Sequence, residues 1–166
     1  MTNVTQSTVM VHRIYINASA QRVWDAITNP AWNGQYGYRA ASHYDLRPGG
    51  LYSVPSTPEM TAHGAPEVLI DGEVLECVPP TRLVQTWRAF FSPETAADGF
   101  TRLTWELDEE QPELTRLTVT HDVAGAPNVA AATTNDAKLH EGGGGWAWIL
   151  SDLKTFVESG HGTTEA

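Results

Sequence analysis

The chain is short of several things, and each shortage removes a class of function. It has one cysteine, Cys77. No internal disulfide can form, and a reducing, cytoplasmic setting is expected. No apolar run is long enough to cross a bilayer. Basic residues are scarce: 10 Lys and Arg stand against 20 Asp and Glu, for a formal net charge of −10 at pH 7. Such a chain repels phosphate backbones and anionic lipid surfaces, so neither nucleic acid nor membrane is expected as a partner. MTNVTQSTVM at the start has no basic stretch followed by an apolar core, so no signal peptide is expected. Motifs for bound groups are missing too. His12, His43, His63, His121, His140 and His161 show no ligand-type spacing, and there is no HExxH or CxxC, so no metal is expected. There is no G-x-S-x-G. The glycines 142–145 are followed by no lysine and no Rossmann fingerprint is present, so no cofactor is expected.

What is present points to one α+β domain. A chain of 166 residues can bury a core of its own. The expected domain runs from 8 to 160, with 1–7 and 161–166 as flexible termini. The strongest periodic stretch is GGGGWAWILSDLKTFVESG, 142–160. Trp146, Ile149, Leu150, Leu153, Phe156 and Val157 recur at helical spacing and form one apolar stripe. Ser151, Asp152, Lys154 and Glu158 fall on other faces, and Ser159-Gly160 supplies the stop. No other apolar helix is available to receive that stripe, so a sheet must. Strands are expected over 8–17, 40–46, 51–56, 67–78 (bulged near Gly72), 82–91, 100–108 and 114–123. Tight turns and Pro-Gly punctuation between them mean hairpins, hence an antiparallel sheet. A short helix from Ala20 to Thr28, capped by Asn17 or Ser19 and ended at Asn29-Pro30, follows the first strand. A second short helix or turn lies in AWNGQYGYRA. The segment TPEMTAHGAP reads as a loop. The stretch from Gly125 to Gly145 reads either as a mobile lid or as a slack linker.

Six runs carry a family likeness in order: INASAQRVWDAITNP, DLRPGGLY, IDGEVLECVPPTRLVQTWR, TRLTWEL, TRLTVTHD and GWAWILSDLKTFVESG. Together they resemble the heat-shock-protein ATPase activator homologue family, part of the START-like or SRPBCC helix-grip superfamily. The resemblance covers roughly residues 10–160. It implies a curved antiparallel sheet wrapped around a long C-terminal helix, two short helices after the first strand, and a cavity between sheet and helix.

Parity and helical phase then nominate the residues of that cavity. Trp87, Ala89, Trp105, Val119 and His121 share the inward strand face, joined by Tyr52, Val54 and Ile70. Trp146, Ile149, Leu150 and Leu153 face them from the helix, and Trp32 and Tyr36 stand at a rim near the short helices, with Tyr38. The expected function is binding of a small apolar or aromatic molecule. Two rivals stand beside it. One is a cyclase, dehydratase or hydrolase-like enzyme using His121 as general acid or base. The other is a protein-interaction or chaperone-cofactor module working through its surface. Trp148 lies away from the apolar stripe. It is either covered by the 124–141 loop or placed in a homodimer contact, which the small neighbours Gly144, Ala147 and Ser151 would favour.

Overall fold

The structure, a computed structural model, describes residues 8–163. The flexible ends expected at 1–7 and 164–166 lie outside the described residues. In chain order come β1 (Val9–Ile16), α1 (Ala20–Thr28), α2 (Pro30–Asn33), β2 (His43–Tyr44), β3 (Leu51–Pro55), α3 (Pro58–Ala62), β4 (Val68–Val78), β5 (Arg82–Ala89), α4 (Pro93–Asp98), β6 (Thr101–Gln111), β7 (Leu114–Asp122), α5 (Pro127–Thr133), a 3-10 turn (Leu139–Glu141) and α6 (Gly145–Ser159). The strands form one sheet in the order β1-β7-β6-β5-β4-β3-β2, and every pairing is antiparallel. The sheet curves around α6, the helix-grip arrangement expected from the single apolar stripe.

Period-two patterning fixes the inward face. Leu83, Gln85, Trp87 and Ala89 of β5 are buried, as are Thr101, Leu103, Trp105 and Leu107 of β6. Thr115, Leu117, Val119 and His121 of β7 continue the layer, paired in register as Leu103 with His121 and Trp105 with Val119. Opposite them α6 buries Trp146, Leu150, Leu153, Phe156 and Val157. Each of the aliphatic and Phe side chains contributes roughly 1.5–3 kcal/mol of transfer free energy, before the entropy of ordering it. Local chemistry sets the ends of the short elements. The Ser19 hydroxyl accepts from the Arg22 N–H to start α1. Asn29 closes α1 through its N–H and opens α2 through its side chain.

Several expectations are corrected. Residues 58–62 form a helix, not a loop, because Thr57 caps it and Pro58 occupies its first turn. The strand β4 is broken in register on either side of Gly72, at Val74–Glu76 against β5 and at Val68–Ile70 against β3, near where the bulge was expected. Gly72 is needed for a different reason: a Cβ there would sit 2.0 Å from the Thr86 carbonyl oxygen. Asp152, assigned to an outer face, is 1% exposed. Its carboxylate accepts from the Gly37 N–H at 2.8 Å and from the Thr163 N–H and hydroxyl at 2.7 and 2.6 Å. Those bonds tie down residues near 161–163, expected to be loose. Trp148 is half-buried, and a Cβ on Gly144 would stand 2.6 Å from its Cβ and 2.8 Å from the Leu139 side chain.

The segment from Gly125 to Gly145 is built structure. Asp98 caps α5 by accepting from the Asn128 and Val129 N–H groups at 2.8 and 3.0 Å. The Tyr38 hydroxyl donates to the Gly143 carbonyl at 2.7 Å and accepts from the Gly145 N–H at 3.0 Å. Backbone approaches backbone at Gly143 and Gly145, where a Cβ would meet the Ala137 and Thr133 carbonyls. Gly145 has φ +53°, and a Cβ on it would stand 2.0 Å from the Thr133 carbonyl oxygen; Gly142 has φ +80° and open space around it. We therefore expect Gly142→Ala to cost about 1–2 kcal/mol, from backbone strain alone. Gly145→Ala should cost about 3 kcal/mol or more, because the backbone must also move. Urea unfolding of the two variants measures the difference.

Candidate functional site

Between α6, the inner sheet face and the loop after α2 lies a cavity of about 520 Å³. Its floor is aromatic: Trp87, Trp105 and Trp146, with Trp146 edge-on to Trp105 at a centroid distance of 5.7 Å. Tyr36, Tyr52, Val54, Ile70 and Ile149 line it as expected. Arg39, Met60, Asn135, Glu141 and Gly142 stand around the mouth. Arg39 holds a left-handed backbone, φ +61°, and its guanidinium donates to the Thr163 carbonyl at 2.8 Å.

Six nominated residues do not line the cavity. Ala89, Val119, His121, Leu150 and Leu153 are at most 2% exposed and lie in the filled part of the core. Strand parity and helical phase turned them inward, but the space they enter is occupied. Trp32 is half-buried and packs edge-on against Phe156 at 6.2 Å, with the Arg22 guanidinium 6.0 Å from its ring centroid.

His121 is held at both nitrogens. The Trp146 indole N–H lies 3.1 Å from Nδ1, and an indole nitrogen only donates, so Nδ1 is the acceptor. Nε2 lies 2.7 Å from the Thr101 hydroxyl, which donates its own proton to the Trp87 carbonyl at 2.7 Å. Nε2 therefore carries the hydrogen, and the ring is the neutral Nε2–H tautomer. Burial lowers its pKa to about 4, with Asp122 opposing and His12 assisting. A ring with no open lone pair and a strongly weakened basicity has no site left for general base chemistry.

The polar groups that do reach the cavity were mostly missed. Asn33 is fully engaged, donating to the Ile27 and Ser42 carbonyls and accepting from the Ser42 N–H. Tyr36 donates to the Ala26 carbonyl at 2.7 Å. Tyr44 donates to Gln85 Oε1 at 2.7 Å, and the Trp105 indole N–H reaches the same oxygen at 3.2 Å. Tyr44 and Tyr52 stack with centroids 4.6 Å apart. Burial raises the pKa of Tyr36 and Tyr44 well above the ordinary phenol value and pushes Tyr52 up to about 12. All three are neutral donors at any physiological pH. Gln85 was the visible signal: an amide at an inward position between Leu83 and Trp87 must find partners there. Among the described residues no group of His, Cys, Asp and Glu is placed to hold a metal, and no helix is long and apolar enough to cross a membrane.

A sequence model of the family described as Activator of Hsp90 ATPase homolog 1-like protein matches residues 17–158. The chain belongs to that family. Solved structures agree on the fold. CalU16 from Micromonospora echinospora is 21% identical, with a TM-score of 0.59 over 92% of this chain and 77% of that one. DynU16, described as a protein of the dynemicin biosynthetic locus, is 22% identical, with a TM-score of 0.65 over 94% of this chain and 49% of its own. An HSP90 activator from Plasmodium falciparum is 17% identical, with a TM-score of 0.54 over 90% of this chain and 87% of that one. No curated protein matches the sequence.

The neutral His121 makes stability depend on pH with a definite sign. Above the ordinary value of 6.5 the ring is neutral folded or unfolded, and the contribution is complete. Between 6.5 and about 4 the unfolded chain binds a proton that the folded chain does not, so stability falls as pH falls, by roughly 3 kcal/mol in all. His12, its pKa also lowered by burial, adds in the same direction. In His121→Gln an amide can still accept from Trp146 and donate to Thr101, and we expect a flatter unfolding free energy between pH 6.5 and 4. Urea titrations at a series of pH values check this.

Proposed function

We propose that this protein binds a small apolar or aromatic molecule in the cavity. The observation that carries the reading is the open space itself, about 520 Å³ floored by Trp87, Trp105 and Trp146. Cores normally fill to crystal-like density, so an apolar space of this size against three indoles is suited to an occupant. Membership of the family and the helix-grip fold support it. The test uses the apolar fluorophore N-phenyl-1-naphthylamine. Ile149→Trp, which fills the cavity, should weaken binding about tenfold or more. Leu51→Trp places the same indole at a residue 75% exposed and should leave binding unchanged. Equal affinities in the two variants would end the reading.

The second reading is a chaperone-partner module, favoured by the description of the family and of the Plasmodium falciparum protein. It would use a surface, such as the exposed Val11 and Tyr15 of the edge strand β1, and would survive Ile149→Trp intact. A homodimer through the outer side of α6 is a separate proposal, with Trp148 as its contact. Sedimentation of the wild type and of Trp148→Glu tests it: the wild type should be a dimer that the substitution splits, and two monomers would reject it.

A further inference from the structure

Two segments meet at the mouth of the cavity. Gly37 to Ala40, in the loop after α2, line the space, and so do Asn135, Glu141 and Gly142, in the loop before α6. Among the described residues, the hydrogen bonds that join these segments all end on one atom, the Tyr38 hydroxyl oxygen. It donates to the Gly143 carbonyl at 2.7 Å and accepts from the N–H of Gly145, the first residue of α6, at 3.0 Å.

The loop after α2 is firmly fixed. Asp152 accepts from the Gly37 N–H at 2.8 Å, and the Thr163 carbonyl accepts from Arg39 at 2.8 Å. Asn33 holds both the N–H and the carbonyl of Ser42. Gly37 and Arg39 both have φ +61°, so Tyr38 stands between two left-handed residues. Arginine carries strain in that backbone, and it persists only where the surroundings impose it.

The loop before α6 is bonded mainly to itself. The Gly143 N–H donates to the Lys138 carbonyl at 3.1 Å, the Gly144 N–H to the Asn135 carbonyl at 2.8 Å, and the Ala137 N–H to the Asn135 side chain at 2.8 Å. Such internal bonds survive when a loop moves as a body. The one large apolar side chain in residues 135–144, Leu139, is 48% exposed, and Asn135, Lys138 and Glu141 are exposed too. Little buried apolar surface opposes displacement of this loop, which places it among the segments that open locally.

Resting on the cavity reading, we propose that ligand enters between these two segments and that the Tyr38 hydroxyl is the clasp that holds them shut. Residues 135–144 swing out together, the Tyr38 bonds break, and they re-form over the occupant. The clasp is closed in both the empty and the filled protein and broken only during passage. Weakening it therefore lowers the barrier equally in both directions, so Tyr38 sets the rates of entry and exit and leaves the affinity alone.

Stopped-flow fluorescence with N-phenyl-1-naphthylamine tests this. Tyr38→Phe keeps the ring and removes the hydroxyl. Its association and dissociation rate constants should both rise about fivefold, with the dissociation constant within about twofold of wild type. Met60→Ala, at another part of the mouth, should leave both rates near those of wild type. Rates unchanged in Tyr38→Phe, or raised only in Met60→Ala, overturn the proposal. A change in dissociation rate alone makes Tyr38 a ligand contact instead of a clasp, and overturns it as well. These outcomes leave the cavity reading standing; if wild type does not bind the fluorophore, both fall together. Amide exchange of the wild type needs no variant. The Gly145 amide should exchange through a local opening, well before that of Leu150 in the middle of α6, and with little dependence on added urea. Exchange of Gly145 only by global unfolding would reject the opening.

Discussion

The hydrogen bond from the Trp146 indole to His121 Nδ1 joins the two layers of the molecule through their apolar centre, at 3.1 Å. Removing either partner leaves a buried polar atom unpaired, at about 1–3 kcal/mol. The bond fixes more than a distance. It sets the rotation of α6 about its own axis, since only one phase brings Trp146 to β7. It also holds the register of β7, because a slip of one residue would turn Leu117, Val119 and His121 outward together. The chain of bonds runs on through Thr101 to the Trp87 carbonyl, so β5 and β6 are locked to the same point. The relay thus holds the Trp146 indole and the Trp87 backbone, while Gln85 holds the Trp105 indole.

That relay divides the concave face. On the side of β7 and α1 the face is filled by Leu117, Val119, Leu150 and Leu153, and no space remains. On the side of β3, β4 and β5 the loop after α2 and the glycines before α6 stand off the sheet, and the space stays open. Trp146 belongs to both halves. Its ring edge is committed to His121, and its face closes the cavity.

Much of this was legible from residue order. Alternation through Leu83, Trp87, Leu103, Trp105, Leu117 and Val119 gave the inward face, and the stripe on α6 gave its partner. Parity and phase report direction and nothing more. They turn His121 and Trp87 the same way, but they do not say which one meets a filled core and which an open space. Asp152 escaped notice because an amphipathic stripe is read from apolar residues, and a carboxylate at its border counts as solvent-facing until the N–H groups that meet it are known. The glycines 142–145 looked slack for a related reason: the close approach of the Thr133 and Ala137 carbonyls is a fact of tertiary structure with no local sign. Tyr44 and Gln85 make sense only once the Tyr44 hydroxyl of β2 is seen to reach the Gln85 amide of β5.

Asp152 has a practical consequence. Its carboxylate holds the Gly37 turn on one oxygen and Thr163 on the other, while Arg39 reaches back to the Thr163 carbonyl. The mouth of the cavity and the chain leaving α6 are thus parts of one closed ring of bonds. An affinity tag, fusion partner or surface tether joined just beyond Thr163 loads that ring directly. Immobilising the protein by this end would strain the entrance through which a ligand must pass.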